Sequence, residues 1–222
     1  MIAYNDQDHT LCFTPLTGPA VTWKVRLTVA GQQLGAEDAD FEVSVDSAWR
    51  LQLRFRAIKL TWLIEAEVDA STGLLSLRST LENKGPTAIV LGKVWPFCAD
   101  SLPLSDKAVF LPGLAGQHQR SVVPVMQEDA PVCSKVKTQY FDPAGPTAIQ
   151  VGFTSFLRAN TEVDHRLNEG VLDVEAHADF AEWQLAPGAS TPVETFTLQI
   201  GSDPHSQLER WASLAAPLIN PR

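Results

Sequence analysis

Acidic side chains at alternating positions are the first candidates for chemistry in this 222-residue chain. Glu65 and Glu67 lie two residues apart, and Asp173, Glu175 and Asp179 continue a similar spacing. Paired carboxyl groups hydrolyse glycosidic bonds when one of them has a raised pKa. In extended strands these positions share the face opposite the apolar side chains, where water keeps carboxyl pKa values ordinary. The pattern therefore indicates solvated strand faces and not a catalytic pair.

Histidine gives a second candidate. His177 and Asp179 fall on one face of the same predicted strand, with Asp164 and His165 nearby in a segment read as a loop. Such residues could form a metal site or a His–Asp pair for proton transfer. Because no third ligand occurs at a recognisable spacing, the sequence predicts no metal site and no cofactor.

Nucleophilic catalysis lacks its usual motifs. No Gly-x-Ser-x-Gly turn is present, and Gly113 and Gly116 lack the lysine and helix of a phosphate-binding loop. Cys12, Cys98 and Cys133 are widely spaced and odd in number, which speaks against a disulfide framework. We expect reduced, buried thiols, and we predict no catalytic residue in this chain.

Tryptophan offers a binding surface instead, because a flat indole can stack on the apolar face of a sugar ring. Trp49 begins a predicted strand and Trp95 begins a proline-rich region, so these two are the predicted carbohydrate-binding residues. The other four are expected to pack within the protein: Trp23, Trp62, Trp183 and Trp211.

The overall charge narrows the class of partner. The chain has 17 basic and 26 acidic side chains, a net charge of −9, and no basic stripe. Such a surface repels phosphate groups, so nucleic acid and anionic membranes are excluded as expected partners. The sequence shows neither a secretory signal nor an apolar run of membrane-spanning length. We expect a cytoplasmic location.

Strict alternation of apolar and polar residues predicts the elements that position these side chains. It predicts buried faces at Phe41, Val43 and Val45 and in further strands near residues 23–29, 51–57, 61–68, 75–81, 172–180 and 196–200. Strands this numerous, without helical periods between them, indicate an all-β fold, a large antiparallel two-sheet supersandwich. We assign residues 1–202 to it and 203–222 to a C-terminal helix that packs on it or leads into a further domain.

Three local signals complete this reading. Asn83-Lys84-Gly85 predicts a hairpin between residues 75–81 and 88–94. Residues 95–146 are predicted to form long loops around short strands at 110–111 and 121–125. Asp203 and Pro204 predict a helix start, with Leu208, Trp211, Ala212 and Ala215 on its inner face and Pro217 and Pro221 ending it.

Several segments resemble one known family. They are the strand Ala148–Phe156, the Pro187-Gly188 turn with the strand that follows, the capped helix from Gly201 to Ala212, and the Asn83–Gly85 turn. They are similar to the amino-terminal β-supersandwich domains of α-galactosidase-like glycoside hydrolases, chiefly glycoside hydrolase family 36 and its relatives. The resemblance covers residues 41–216, and Ala189 departs from it because a glutamate commonly follows the Pro-Gly pair.

The resemblance implies a fold related to galactose mutarotase and a non-catalytic role, since the catalytic aspartates of that family lie in a (β/α)₈ barrel that follows. The domain would support the barrel, shape the rim of the substrate pocket or mediate oligomer contacts. Its partners would be a carbohydrate, the barrel of its own parent chain or a second copy. A free-standing carbohydrate-binding or protein-interaction sandwich is the alternative, and a mutarotase-type epimerase is less favoured because no histidine matches the mutarotase motifs.

Overall fold

The computed structural model describes residues 1–46, 48–114, 123–124, 132–168 and 171–219. These residues form an antiparallel β-structure with one C-terminal α-helix, which confirms the predicted fold class. The first nine strands are β1 (Ile2–Asn5), β2 (Thr10–Phe13), β3 (Val21–Val29), β4 (Gln32–Gly35), β5 (Asp40–Val45), β6 (Trp49–Phe55), β7 (Leu60–Val68), β8 (Leu75–Asn83) and β9 (Ile89–Ala99). The remaining elements are β10 (Val109–Leu114), β11 (Val123–Pro124), β12 (Val132–Asp142), β13 (Thr147–Phe153), β14 (Asn160–Asn168), β15 (Val171–Leu185), β16 (Ser190–Pro192), β17 (Phe196–Gly201) and α1 (Pro204–Ile219).

Strand pairing divides the structure into two sheets that share one strand. The first sheet runs β3–β9–β15–β14, and the second runs β5–β6–β7–β8–β17–β13. Strand β12 joins them, because residues 132–135 pair with β14 and residues 137–142 pair with β13. Val136 lies between the two halves and has φ 74°, a left-handed conformation that turns the strand from one sheet to the other.

The core lies between the two sheets, where the alternating apolar residues of both meet. Trp23 and Trp62 are buried as predicted, at 1% and 0% exposure. Phe97 of the first sheet stacks on Phe196 of the second with ring centroids 5.2 Å apart. Such aromatic contacts add to the area buried and fix the two sheets face to face.

Strand β5 departs from its predicted burial. Phe41, Val43 and Val45 were expected in the core, but they are 39%, 41% and 72% exposed. Strand β5 pairs with β6 in the predicted register. Among the described residues it pairs only with β6, and the Phe41 ring packs against the rings of Tyr4 and His9. Alternation gives the side of a sheet on which a residue lies and not whether another layer covers that side.

The predicted hairpin at Asn83 is wrong. Strand β8 pairs with β7, β16 and β17, whereas β9 pairs with β15 and β3, so the turn crosses between the two sheets. The buried Asn83 amide donates to the carbonyls of Thr87, Leu185 and Ala186, and its Oδ1 accepts from the Gly85 N–H. This side chain satisfies backbone groups of two separate loops, which a two-residue hairpin turn would not require.

The loop prediction for residues 95–146 is also wrong over much of its length. Strand β9 continues to Ala99, and the eleven-residue β12 was missed. Strand β12 lacks simple alternation because it changes sheet at Val136, so consecutive polar residues such as Thr138 and Gln139 are both buried. Of the predicted strand at 121–125, only residues 123–124 lie within the described residues.

Helix α1 begins as predicted. The Asp203 carboxylate accepts hydrogen bonds from the amides of His205 and Ser206, which are unpaired donors at the first turn. Pro217 was expected to end the helix but lies inside it, in the last turn, where its missing N–H removes one helical hydrogen bond. Pro221 lies outside the described residues. Ala212, expected on the inner face, is exposed.

Glu194, which follows the Pro187-Gly188 turn at a distance of several residues, has a structural role. Glu194 is 1% exposed, and its carboxylate accepts hydrogen bonds from the Ser155 hydroxyl and from the amides of Arg158 and Ala159. Ser155 in turn accepts from the Thr195 amide. A buried carboxylate requires such donors, and here they fix the loop that follows β13.

The three cysteines differ in exposure although all are free thiols: Cys98 is buried, Cys12 is half-buried and Cys133 is exposed. The expectation of uniformly buried thiols is therefore wrong for Cys133.

Within the described ranges, no helix has the length and apolarity that crossing a bilayer requires.

Candidate functional site

The outer surface of the first sheet carries a group of ionisable and aromatic side chains on neighbouring strands. We call it the open face and define it by Arg26, Trp95, Cys133, Glu162, Asp164, Glu175 and His177. Cross-strand pairing aligns these positions: Cys133 lies opposite Asp164, Glu162 opposite His177, and Asp164 opposite Glu175. The sequence therefore folds chemistry-bearing residues from five strands onto one surface.

His177 lies at the centre of the open face, and its burial corrects the expectation of a solvated strand face. Its side chain is 1% exposed. Two residues of β9, Trp95 and Pro96, lie opposite this single residue of β15. That bulge places the Trp95 ring 5.7 Å from the imidazole. Burial, with a smaller contribution from Lys93, lowers the pKa of His177, so the ring is neutral at pH 7.

Two carboxylates flank the imidazole. His177 Nε2 is 3.4 Å from Glu162 Oε2, and Nδ1 is 3.4 Å from Asp164 Oδ2. Neither ring nitrogen makes a hydrogen bond within the described part of the chain. Buried polar groups are normally paired, so a histidine with two unsatisfied nitrogens between two acids is unusual for a purely structural residue. Lys135 forms an ion pair with the other oxygen of Glu162.

Cys133 completes this side of the open face. Its sulfur and the carboxylate oxygens of Glu162 and Asp164 lie within 4.8 Å of one another. Burial, then contact with Asp164, raises the pKa of the Cys133 thiol. The Glu162 and Asp164 side chains remain 23% and 30% exposed, so this group of three is open to solvent while His177 lies beneath it.

An ion pair occupies the opposite side of the open face. Arg26 donates to Glu175 at 2.5 Å and to the sulfur of Cys98 at 3.2 Å. Its guanidinium carbon lies 5.8 Å from the centre of the Trp95 ring, within range of a cation–π contact. Burial raises the pKa of Cys98 to about 12, which makes this thiol unreactive.

The two tryptophans proposed for sugar binding lie in different settings. Trp95 is half-buried on the open face, whereas Trp49 is 8% exposed and belongs to the core beneath β5. Trp183, expected to pack, is 47% exposed and stacks on Phe180 at 6.3 Å.

A pocket of about 410 Å³ lies next to Cys98 and the start of strand β3. Lys24, Asp100 and Ser101 are among the polar residues that line it. Its volume falls within the range of small-ligand sites, and its mixed lining suits a polar ligand.

The sequence indicated His177 and Asp164 as candidate ligands but missed Cys133 and Glu162, because the members of the group are distant along the chain. Cys133, Glu162 and His177 lie on three strands and meet only through the pairing of β12, β14 and β15. A usable signal existed within β14, where Glu162 and Asp164 alternate with Val163. Asp164 and His165, predicted to lie in a loop, belong to strand β14.

The outer surface of the second sheet is different around β12, β13 and β17, because helix α1 covers it there. We call this the covered face; it consists of Lys137, Gln139, Gln150, Gly152, Thr197 and Gln199. The Gln207 side chain donates to the Ala148 carbonyl at 2.9 Å, and the Trp211 indole donates to the Phe153 carbonyl at 2.9 Å. The helix therefore docks through polar as well as apolar contacts.

Comparison with solved structures shows where this architecture occurs. The chain superposes on an α-galactosidase from Lactobacillus brevis with a TM-score of 0.57 and 13% identity, over 92% of this chain and 30% of that one. The fold is one found in α-galactosidase chains. This confirms, at the level of fold, the resemblance given by the sequence motifs.

Two further structures have the α-galactosidase-type fold. A family 36 α-galactosidase, AgaA from Geobacillus stearothermophilus, in complex with stachyose, gives a TM-score of 0.59 at 12% identity, over 90% of this chain and 32% of that one. The α-N-acetylgalactosaminidase NagBb from Bifidobacterium bifidum, in complex with GalNAc, gives 0.68 at 11% identity, over 97% and 37%. The chain thus spans about a third of the solved chains that it matches. No family model matches the chain, and no curated protein matches it in sequence.

Proposed function

We propose that this chain is a non-catalytic, amino-terminal domain of an α-galactosidase-like glycoside hydrolase. The observation that carries the proposal is the pair of coverages: nearly the whole chain superposes on glycosidase chains, and about a third of each of them is used. Such a domain would support the catalytic barrel of its parent chain, shape the rim of the substrate pocket or mediate oligomer contacts.

The exposed edge of the second sheet supports a docking role. Phe41, Val43 and Val45 present apolar side chains on strand β5, whose outer edge is unpaired among the described strands. Native proteins usually shield such edges from intermolecular pairing. We propose that the barrel of the parent chain covers this strip.

The test is to express the whole reading frame that contains residues 1–222, beside residues 1–222 alone, and to assay both with aryl α-galactoside and aryl N-acetyl-α-galactosaminide. We expect hydrolysis by the longer product and none by the shorter. A reading frame that encodes no barrel contradicts the proposal. In the longer product, Val45→Asp places a charge in the proposed contact between β5 and the barrel. The domain and the barrel should then unfold in two separate transitions. Leu157→Asp, an exposed apolar position elsewhere, should not have this effect.

Carbohydrate binding is the second candidate function, and the setting of Trp95 favours it over Trp49. Trp95 lies half-buried beside Arg26, which pairs with Glu175, and both charged groups are able to hydrogen-bond sugar hydroxyls. Galactose titrated against intrinsic fluorescence should give a saturable change that Trp95→Ala abolishes and Trp183→Ala retains. A response unchanged in Trp95→Ala would remove this candidate.

Polarimetry on fresh α-galactose tests the epimerase alternative. We expect the optical rotation to change at the same rate with the protein as in buffer alone.

A further inference from the structure

We propose that Cys133, Glu162, Asp164 and His177 form a binding site for Zn²⁺ on the open face. This site is independent of the proposed role as a glycosidase domain. The sequence predicted no metal site, because no third ligand occurs at a recognisable spacing; the structure brings the four residues together from three strands.

The donor set selects the metal. A thiolate and an imidazole bind borderline and soft ions, and together with two carboxylates they suit Zn²⁺ better than Mg²⁺ or Ca²⁺. The donor atoms of Cys133, Glu162 and Asp164 already lie within 4.8 Å of one another. Two ligands of one tetrahedral Zn²⁺, each about 2.1 Å from it, are separated by about 3.4 Å, so these three side chains must contract. His177 lies outside this group of three, so its ring must also move towards them to supply the fourth ligand.

His177 supplies the second, independent observation. The ring is 1% exposed, both nitrogens lack hydrogen bonds within the described part of the chain, and each lies 3.4 Å from a carboxylate oxygen. That separation is long for a hydrogen bond but equals the spacing of two ligands on one zinc ion. One nitrogen would bind the metal while the other N–H faces the second carboxylate, the usual support for a metal-bound histidine.

Neighbouring charges are compatible with this arrangement. Lys135 contacts Oε1 of Glu162, whereas Oε2 faces the imidazole, so Glu162 can bind the metal through Oε2 and keep its ion pair. Glu175 and Asp179 add negative potential near His177, and Lys93 opposes it. Thiolate, two carboxylates and one lysine leave a net charge near −2, which a divalent cation neutralises.

The experiment uses the 222-residue chain after treatment with a chelator. Zn²⁺ is titrated in competition with a chromophoric chelator, and Co²⁺ serves as a spectroscopic substitute. We expect one Zn²⁺ per chain, no competition from Mg²⁺, and a thiolate-to-cobalt charge-transfer band in the near ultraviolet. Cys133→Ser should abolish the band and weaken Zn²⁺ binding at least tenfold. Cys12→Ser, the matched control at a distant thiol, should retain both.

Glu162→Gln separates this site from adventitious thiol binding, since it leaves Cys133 in place and should still weaken Zn²⁺ at least tenfold. Circular dichroism tests whether each variant is folded. The melting temperature should rise with Zn²⁺ only in the unmodified chain and in Cys12→Ser. Binding below one equivalent, or Zn²⁺ affinity that is the same in Cys133→Ser and the unmodified chain, would overturn the proposal.

Discussion

The open face and the covered face arise from the same alternating strand pattern but differ in what lies above them. On the covered face, Gln150, Thr197 and Gln199 are at most 3% exposed beneath helix α1. On the open face, the carboxylates of Glu162, Asp164 and Glu175 keep 23%, 30% and 43% of their side-chain exposure. Neutral polar groups predominate where the helix excludes water, with Lys137 as the charged exception, and carboxylates lie where water remains, because burying an unpaired charge is far more costly.

The largest test removes the main contact of the helix with the covered face. Trp211→Ala deletes an indole that packs beside Lys137 and donates to the Phe153 carbonyl. We expect a loss of about 3 kcal/mol in the free energy of unfolding, from the buried area and one hydrogen bond. Differential scanning calorimetry should show a melting temperature lower by roughly 6–12 °C.

Trp183→Ala is the matched control, since Trp183 is 47% exposed and touches no helix among its described contacts. Its cost should stay below about 1 kcal/mol. Equal losses in the free energy of unfolding for the two variants would mean that packing of the helix on the covered face contributes little to stability.

A smaller effect comes from the space beneath the helix. A Cβ at residue 152 would lie 2.5 Å from the Lys137 Cβ and 2.6 Å from the Val136 carbonyl oxygen. Gly152→Ala should therefore destabilise the protein by about 1–3 kcal/mol in urea denaturation, because backbone must move. Gly145→Ala, with open space around its Cβ, should change stability by no more than about 0.5 kcal/mol. A harmless Gly152→Ala would contradict the close packing of the covered face.

Two lysines on strand β12 allow a direct comparison of the faces. Lys137 lies on the covered face, and Lys135, two residues away, pairs with Glu162 of the open face. Burial lowers the pKa of Lys137 from 10.5, so the folded state binds its proton less tightly than the unfolded state does. The resulting penalty is complete at neutral pH and disappears as pH rises from the lowered pKa towards 10.5. Lys137→Met should therefore stabilise the protein by about 1 kcal/mol at pH 7, with less gain at higher pH.

Lys135→Met should give no such gain, because Lys135 is 47% exposed and paired with Glu162. Chemical denaturation of both variants at pH 7 and pH 10 decides the matter. A gain for Lys137→Met that is independent of pH would exclude desolvation of the ammonium group as its cause.

The smallest effect belongs to the ion pair on the open face. Glu175→Gln removes the charge opposite Arg26, whose side chain is 29% exposed. Partly solvated pairs contribute between 0 and about 1 kcal/mol, so we expect a loss within that range that salt diminishes. A loss above 2 kcal/mol at high salt would show that this part of the open face is as dry as the covered face.

Sequence alone predicted the parts of this structure that depend on neighbours along the chain. The alternation in β3, β6, β7, β15 and β17 and the Asp203 cap were found because period and capping are local properties. Burial of His177 was missed, since it depends on a bulge in β9 and on carboxylates from β14. Exposure of Val45 was missed because alternation does not show whether another layer lies above a strand at the edge of a sheet.

The candidate site was less predictable than the fold. Trp95 was identified by its position before a change in composition and lies on the open face, whereas Trp49 proved to be buried. The group around His177 required strand register, which the sequence specifies only through pairing of distant segments. The shared strand β12 was missed because its change of sheet breaks the period of two.

That shared strand has a mechanical consequence. Cys133 and Lys137 are four residues apart on β12, about 13 Å along an extended chain, and they lie on opposite outer surfaces of the molecule. A displacement of the backbone at Cys133 would therefore have only four residues to travel before it reached the ammonium group that lies 5.6 Å from the centre of the Trp211 ring.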